Sequence, residues 1–468
     1  MASSSLSIAR EVAYDAFVLV MEKKEKPEDA LEIIADNLKN DIKRIDRNLA
    51  KEILYGGLRW YSKIFWILQN TSNRDLKHVS PEIRSALILG TYQIFYLDRV
   101  PDRAAVNESV EYVRKVGQGN ACSFVNGILR QIARRAEYFT KPDKVDKPVD
   151  YLSLQYAHPK WIVSRWLRHF KFDRLEAMLS SNNHPPPWSV RVNQVKTKVE
   201  DVHLLQQQLL KNERTHSERR ALRSCLRLRE SPNFDPGSIF SQGYYTIQDE
   251  AAQLIGLLVD PIEGETIIDA CTAPGGKLSH LYELGKGNLK LFAVDKQPHR
   301  LTKAKETMER LGHRNVEWVE TDFLTWEPGF KADKILLDAP CTGLGILRRH
   351  PEGKWHKEEA TIRVMAECQK ELIRRSLLNL RLGGELIYSV CSFEPEETID
   401  HMRWIKSTFG EAVELISPIH RLTDYYKKYV TRDNLLLIYA GNQDDMDGFG
   451  AFIFKVKEDL SGKAQGKD

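Results

Sequence analysis

The 468-residue chain has no run of about 18 apolar residues, so no segment of it has the length and apolarity of a membrane-spanning helix. Its start, MASSSLSIAREVAYDAF, puts Arg10 and Glu11 where a secretory signal needs its apolar stretch. A cytoplasmic protein without a membrane partner is therefore expected. Cysteine is sparse: the six residues Cys122, Cys225, Cys271, Cys341, Cys368 and Cys391 form no CxxC pair and have no histidine at ligand spacing. That excludes the usual zinc frameworks and a disulfide scaffold, and no metal is expected. Charge of one sign is also lacking, since 69 Lys and Arg face 65 Asp and Glu, a net of +4 that does not by itself announce a nucleic-acid binder. Neither GxGxxG nor GxxxxGK[ST] occurs in the glycine loop: Gly276-Lys277 lacks the upstream glycine and is followed by Leu278.

What is present points to a multi-domain globular protein. A hydrophobic content of 42% beside 29% charged residues suits a soluble enzyme, and the length gives a prior of about two to four domains. Residues 1–140 read as an all-α domain, with Ile8, Val12, Phe17 and Val20 on one apolar face and Leu49, Ile53, Leu54 and Leu58 on another. The charged, proline-marked segment 141–148 reads as a linker. Residues 151–240 form a small α/β subdomain in which 191–230 hold ten Lys and Arg against five acids. Clustered on one face, that local excess could neutralise a few phosphates; a merely solvated charged face is an equal reading.

From residue 262 onward strands and helices alternate, which means βαβ units and a doubly wound sheet in a domain spanning 241–457. A long helix near 357–381 is expected to end at Leu382-Gly383-Gly384, with glycine as C-cap and a strand over 385–390. Residues 458–468 read as a disordered tail.

In such a sheet, residues just past the carboxyl ends of the strands face the ligand crevice. Asp269-Ala270-Cys271-Thr272-Ala273-Pro274-Gly275-Gly276-Lys277 follows the first of these strands and opens a helix, so its small residues let a ligand approach the backbone. Acids recur at the next strand ends: Asp295, Asp322 and Asp338. Asp295 stands where an acid grips ribose hydroxyls, and Asp322 could accept from an adenine amino group. A nucleoside with a carboxylate tail fits this loop better than a pyrophosphate does. Two thiols complete the crevice, Cys341 after Asp338-Ala339-Pro340 and Cys391 after Tyr388-Ser389-Val390. Taken alone, a buried structural cysteine beyond a strand is an equal reading of Cys391.

The motifs DACTAPGGK, DAPCTG and VCSFEPEE resemble those of the S-adenosylmethionine-dependent RNA cytosine-5 methyltransferases. The chain as a whole is similar to the bacterial Sun/Fmu (RsmB) family, which methylates a cytosine of 16S ribosomal RNA. Its N-terminal region resembles the NusB-type helical RNA-binding fold, on Asp46-Arg47, Pro101 to Glu108 and Phe124 to Arg130. Further matches are His158 to Trp161, Arg191-Val192-Asn193, Gly243 to Asp249 and Asp447-Gly448-Phe449, so the similarity runs from about residue 8 to 456. Val390, Thr342 and Thr272 depart from the family's usual Thr, Ser and Ala.

The resemblance implies a Rossmann-like catalytic domain and S-adenosylmethionine as cofactor, held by Cys271, Thr272, Ala273, Pro274, Gly275, Gly276 and Lys277 together with Asp295, Asp322 and Asp338. It also implies that Cys391 attacks carbon 6 of the cytosine, that Asp338 holds the base edge, and that Cys341 assists release. Cys271 is expected to pack at the loop and not to act as a nucleophile. The partner would be RNA, 16S ribosomal RNA first, and the protein a monomer. The competing readings are another nucleic-acid cytosine-5 methyltransferase, acting on transfer RNA or DNA, with RNA preferred over DNA on Cys391, and a non-enzymatic RNA-binding or ribosome assembly factor.

Overall fold

The computed structural model describes residues 6–38, 42–135 and 144–460; the first residues of the expected linker, 141–143, and most of the expected tail, 461–468, lie outside them. By its contacts the chain forms two compact units, residues 1–185 with 347–359, and residues 186–346 with 360–468.

The first unit is helical. Its helices are Ile8–Lys23, Pro27–Asn37, Arg44–Thr71, Pro81–Tyr96, Asp102–Lys115, Cys122–Arg135, Pro148–Gln155, Lys160–Leu167 and Phe172–Ser181. The apolar faces read from the sequence meet in one core, where Val12, Phe17, Val20, Ile53, Leu54 and Leu58 are buried with Ile88, Leu89, Val113 and Leu129. Residues 347–359 are built into this unit as a short helical segment. The Lys354 ammonium is buried there, donating to Asn183 Oδ1 at 2.6 Å and to the carbonyls of Arg59 and Ala157. Beside it the Trp355 indole donates to the Leu58 carbonyl at 2.7 Å, with its ring 5.2 Å from that of Tyr61.

The second unit holds two sheets. The smaller consists of β1 (Trp188–Val192), β2 (Ser217–Arg219), β3 (Cys225–Leu228) and β4 (Tyr245–Ile247) in the order β2-β3-β1-β4, all antiparallel. The larger is mixed: β5 (Thr266–Asp269), β6 (Lys290–Asp295), β7 (Val316–Glu320), β8 (Ala332–Asp338) and β9 (Leu380–Val390) run parallel. Then β10 (Val413–Ile416), β11 (Leu436–Ile438) and β12 (Phe449–Val456) pair antiparallel, giving the order β10-β12-β9-β8-β5-β6-β7 with β11 on β12. The central strands are buried on both faces, which is why they read as unbroken aliphatic runs such as Ile335-Leu336-Leu337.

One expectation is corrected. The helix preceding β9 is Ala360–Leu378, and Gly383-Gly384 does not cap it. Both glycines lie inside β9, in a bulge where the pairing jumps from Ala332–Leu380 to Lys334–Glu385. Gly383 takes a φ of +78°, and a Cβ on Gly384 would stand 3.0 Å from the Asp333 carbonyl oxygen, so the bulge demands glycine for the reasons a cap would.

Candidate active site

From β5 the chain runs to β6 and β7 on one side, then to β8 and β9 on the other, so the topological switch lies at the carboxyl ends of β5 and β8. Every site residue expected from the sequence leaves a strand at that end. Cys271 to Lys277 follow β5, Asp295 ends β6, Asp322 follows β7, Asp338 ends β8 with Cys341 three residues on, and Cys391 follows β9.

On the β5 side, Gly275 opens the helix Gly276–Leu284 with a φ of +92°, and a Cβ there would meet the Ala304 backbone at 3.2 Å. The loop is thus pressed against the next helix and can turn only as glycine. Asp295 accepts from the Ala273 and Gln297 amides at 3.3 and 3.0 Å and has the Arg300 guanidinium 3.6 Å away. Asp322 is half-buried, with Lys296 at 3.8 Å. Asp269 is buried: Thr272 donates to one carboxylate oxygen at 3.0 Å, the other has no partner among the described residues, and burial pushes the carboxyl up to about 7. A partnerless buried carboxylate oxygen and a row of acids around a glycine turn suit a cationic amino acid joined to a nucleoside. Burial also pushes the Cys271 thiol far up, with Asp269, Asp338 and Asp295 adding to it, so this sulfur is held as a neutral thiol.

On the β8 side the two thiols meet, with Cys341 Sγ 3.1 Å from Cys391 Sγ. Asp338 stands next to them, its carboxylate accepting from Lys277 Nζ at 2.7 Å and from the Ser389 hydroxyl at 2.8 Å. Contact with the second sulfur, then burial, then the charges of Glu397 and Asp338 raise the Cys341 thiol well above its ordinary value. Around them lies a layer of residues to which the sequence reading gave no role. Glu397 accepts from the Thr342 amide at 2.8 Å and from the Thr342 hydroxyl. Gln369 Nε2 donates to the Pro340 carbonyl at 2.8 Å and to Glu397 at 3.0 Å. The Gly345 amide donates to the Cys391 carbonyl at 3.1 Å, and the Gly448 amide to the Gly345 carbonyl at 2.8 Å. Glu397 and Gly448 sit in quoted motifs and could have been singled out; Gln369 lies mid-helix and carries no local signal.

The basic stretch 191–230 divides in two. Arg191 is no surface charge: it is fully buried, bonded by Nη2 to Glu283 at 2.9 Å and to Ser279 at 2.6 Å, and by Nη1 to Gln248 and to the Gly276 carbonyl at 2.8 Å. It therefore ties β1 to the first turn of the helix Gly276–Leu284. Arg219, Arg220 and Arg223 instead line an open notch of about 430 Å³ with Val199 and Glu200.

A switch-point crevice with acids at successive strand ends and a loop unsuited to pyrophosphate defines the class of S-adenosylmethionine-dependent methyltransferases. Comparison with known proteins narrows the class. Residues 256–455 match the family described as 16S rRNA methyltransferase RsmB/F, residues 7–134 the NusB family, and residues 158–235 the ferredoxin-like domain of RsmF/B-like methyltransferases. The chain is 32% identical over 362 residues to the probable ribosomal RNA small subunit methyltransferase B of Bacillus subtilis (strain 168), covering 76% of this chain and 79% of that protein. The crystal structure of PH0851 superposes with a TM-score of 0.80 at 23% identity over 97% of this chain and all of that one, a likeness of fold. A methyltransferase homologue from Pyrococcus horikoshii gives 0.55 at 26% identity over 67% of this chain and all of its own. The chain belongs to the RsmB/F family of 16S ribosomal RNA methyltransferases and uses S-adenosylmethionine.

Proposed function

We propose that the protein methylates carbon 5 of a cytosine in small-subunit ribosomal RNA through a covalent adduct on Cys391. S-adenosylmethionine supplies a methyl group made electrophilic by its sulfonium. The Cys271 to Lys277 loop would hold its amino-acid end, Asp295 its ribose hydroxyls and Asp322 its adenine amino group. Carbon 5 of cytosine is too electron-poor to take a methyl group unaided. Attack of the Cys391 thiolate on carbon 6 turns the ring into an enamine whose carbon 5 would take the methyl group, the methyl–sulfur bond breaking so that the cofactor leaves as a neutral thioether. Asp338 holds the base's ring nitrogen and amino edge, and Lys277 and Ser389 hold Asp338 in turn. Once the carbon 5 proton has gone to a base, Cys391 leaves, and Cys341 assists that departure. The observation that supports this reading most is the 3.1 Å contact between the two sulfurs on neighbouring parallel strands, with Asp338 ending one of them.

The target base must be unstacked to reach a thiol in a crevice, so a looped or extruded nucleotide is the substrate. The NusB-like helices and the small α/β subdomain are the candidates for holding the surrounding RNA. In the subdomain the notch of Arg219, Arg220 and Arg223 suits phosphate: Arg219 and Arg223 are exposed, and Arg220 is anchored by Glu250 at 2.9 Å. Arg219→Glu with Arg223→Glu is expected to weaken RNA binding and to lower its salt slope by about one to two, as loss of two phosphate contacts would. An unchanged slope would remove the notch from the RNA path. A monomer acting in the cytoplasm completes the reading, and no described helix is long and apolar enough to cross a membrane.

Separate replacement of the thiols tests the chemistry. Cys391→Ala is expected to abolish methylation, and Cys341→Ala to trap a protein–RNA adduct visible on a denaturing gel. If only the Cys341 change abolishes turnover and no adduct forms, the roles are wrongly assigned. Methylation of a transfer RNA transcript in preference to 16S RNA would shift the substrate, and absence of S-adenosylmethionine binding by calorimetry would revive a non-enzymatic assembly role.

A further inference from the structure

Glu397 is fully buried six residues beyond Cys391, in the short helical turn Pro395–Glu397. A carboxylate in that position needs donors, and those it has come from the Cys341 loop and its neighbour. The Thr342 amide and hydroxyl supply two, and Gln369 Nε2, which also grips the Pro340 carbonyl, supplies a third. The residues on both sides of Cys341 are thereby held to one side chain. Gln369 is oriented in turn by His401, whose Nε2 lies 2.8 Å from Gln369 Oε1. Burial keeps the His401 imidazole neutral, lowering it to about 4, so a proton on Nε2 fixes the amide with its NH2 toward Pro340 and Glu397. The Tyr388 hydroxyl donates to the Glu397 carbonyl at 2.9 Å and fixes the turn itself.

The charges around the thiol pair are unequal. Asp338 faces it from β8, but Lys277 neutralises Asp338 at 2.7 Å. Glu397 faces the Cys341 side and forms no ion pair among the described residues. Nearby, burial keeps the Tyr388 hydroxyl protonated, and His401, which packs on the Tyr388 ring and bonds Gln369, is neutral.

We infer that Glu397 is a positioning residue of the methyl transfer: it clamps the Pro340–Thr342 turn, and its charge directs the one thiolate of the sulfur pair to Cys391. Repulsion from Glu397 makes a negative sulfur at Cys341 the costlier of the two arrangements, so the proton stays on Cys341. Cys341 S–H can then donate to the Cys391 thiolate before attack and again as it leaves carbon 6, with no net proton change. Two like thiols become nucleophile and hydrogen-bond donor through one buried charge. The inference rests on the roles given to the thiols above.

Its test needs neither RNA nor cofactor, so its failure is distinct from failure of those roles. The full-length protein is treated with limiting iodoacetamide near pH 8, and the alkylated cysteine is located by peptide mass spectrometry. The wild type is expected to react first at Cys391. In Glu397→Gln, which preserves shape, the ratio of Cys391 to Cys341 alkylation should fall about tenfold, the equivalent of one pKa unit between the thiols. In Glu397→Asp, which keeps the charge but loosens the clamp, it should return toward the wild type. An unchanged ratio in folded Glu397→Gln overturns the inference, as does an equal shift in both variants. Should Glu397→Gln fail to fold, the wild type alone decides: Cys341 must become reactive only at higher pH than Cys391, and the reverse order overturns it.

Discussion

Asp269 shows how far a single side chain departs from what its position in the sequence suggests. It ends β5 like an ordinary site acid, yet one of its oxygens has no partner among the described residues and its carboxyl is pushed up to about 7. The sign of its effect on stability follows. Below about pH 4 the folded and unfolded chains both hold the proton; as pH rises toward 7 the unfolded chain releases it first, so this group costs stability progressively and then levels off. Asp269→Asn is therefore expected to lie above the wild type in melting temperature at pH 8 and to approach it near pH 4, as differential scanning fluorimetry across that range would report. That Cys341, Cys391 and Asp338 gather beyond neighbouring strand ends was legible because the signal is local, a short aliphatic strand followed by a small-residue turn. Glu397 stood in a motif but its task did not show, and Gln369 had no local signal, since what they hold lies 55 and 29 residues away in the chain.

At the scale of elements, alternation of strands and helices was readable because buried parallel strands and amphipathic helices have different periods. The Gly383-Gly384 pair was misread because a helix cap and a strand bulge both ask for a residue without Cβ. Arg191 was misread because its partner Glu283 is 92 residues distant and nothing local separates a buried guanidinium from a surface one. The contact of Arg191 with the Gly276 carbonyl makes β1 part of the glycine loop's support, the loop proposed to hold the cofactor. Arg191→Met, leaving Glu283 buried and uncompensated, is expected to cost about 3–5 kcal/mol by denaturant unfolding. Arg191→Met with Glu283→Met should recover most of that stability. If the contact shapes the loop, cofactor affinity should stay roughly tenfold weaker in the stable double variant, about 1.4 kcal/mol by calorimetry. Wild-type affinity in the double variant would leave Arg191 a packing residue only.

Among the described residues of the whole molecule, burial lowers five histidines: His158 and His280 well below their ordinary value, His313 to about 3, His401 to about 4, and His356 as well. Their stabilising contribution is present above the unfolded value of about 6.5 and is lost as pH falls, because the unfolded chain takes up protons that the folded chain refuses. Denaturant midpoints are expected to drop steadily from pH 7 to 4.5. His280→Leu, which replaces a ring with both nitrogens unpartnered, should lessen the drop without loss at pH 7. At this scale the sequence revealed the order of fold types but not the excursion at 347–359, where a stretch beginning six residues past Cys341 is built into the helical unit through Lys354 and Trp355. That excursion makes the helical unit a poor candidate for modular exchange. A single crossover after residue 185 would transplant it without part of its own interior, and a fragment cut there should take up a synthetic peptide of residues 347–359 in trans. Any recombination that moved this domain between proteins had to carry two pieces of gene, one of them lodged inside the coding sequence of the catalytic sheet.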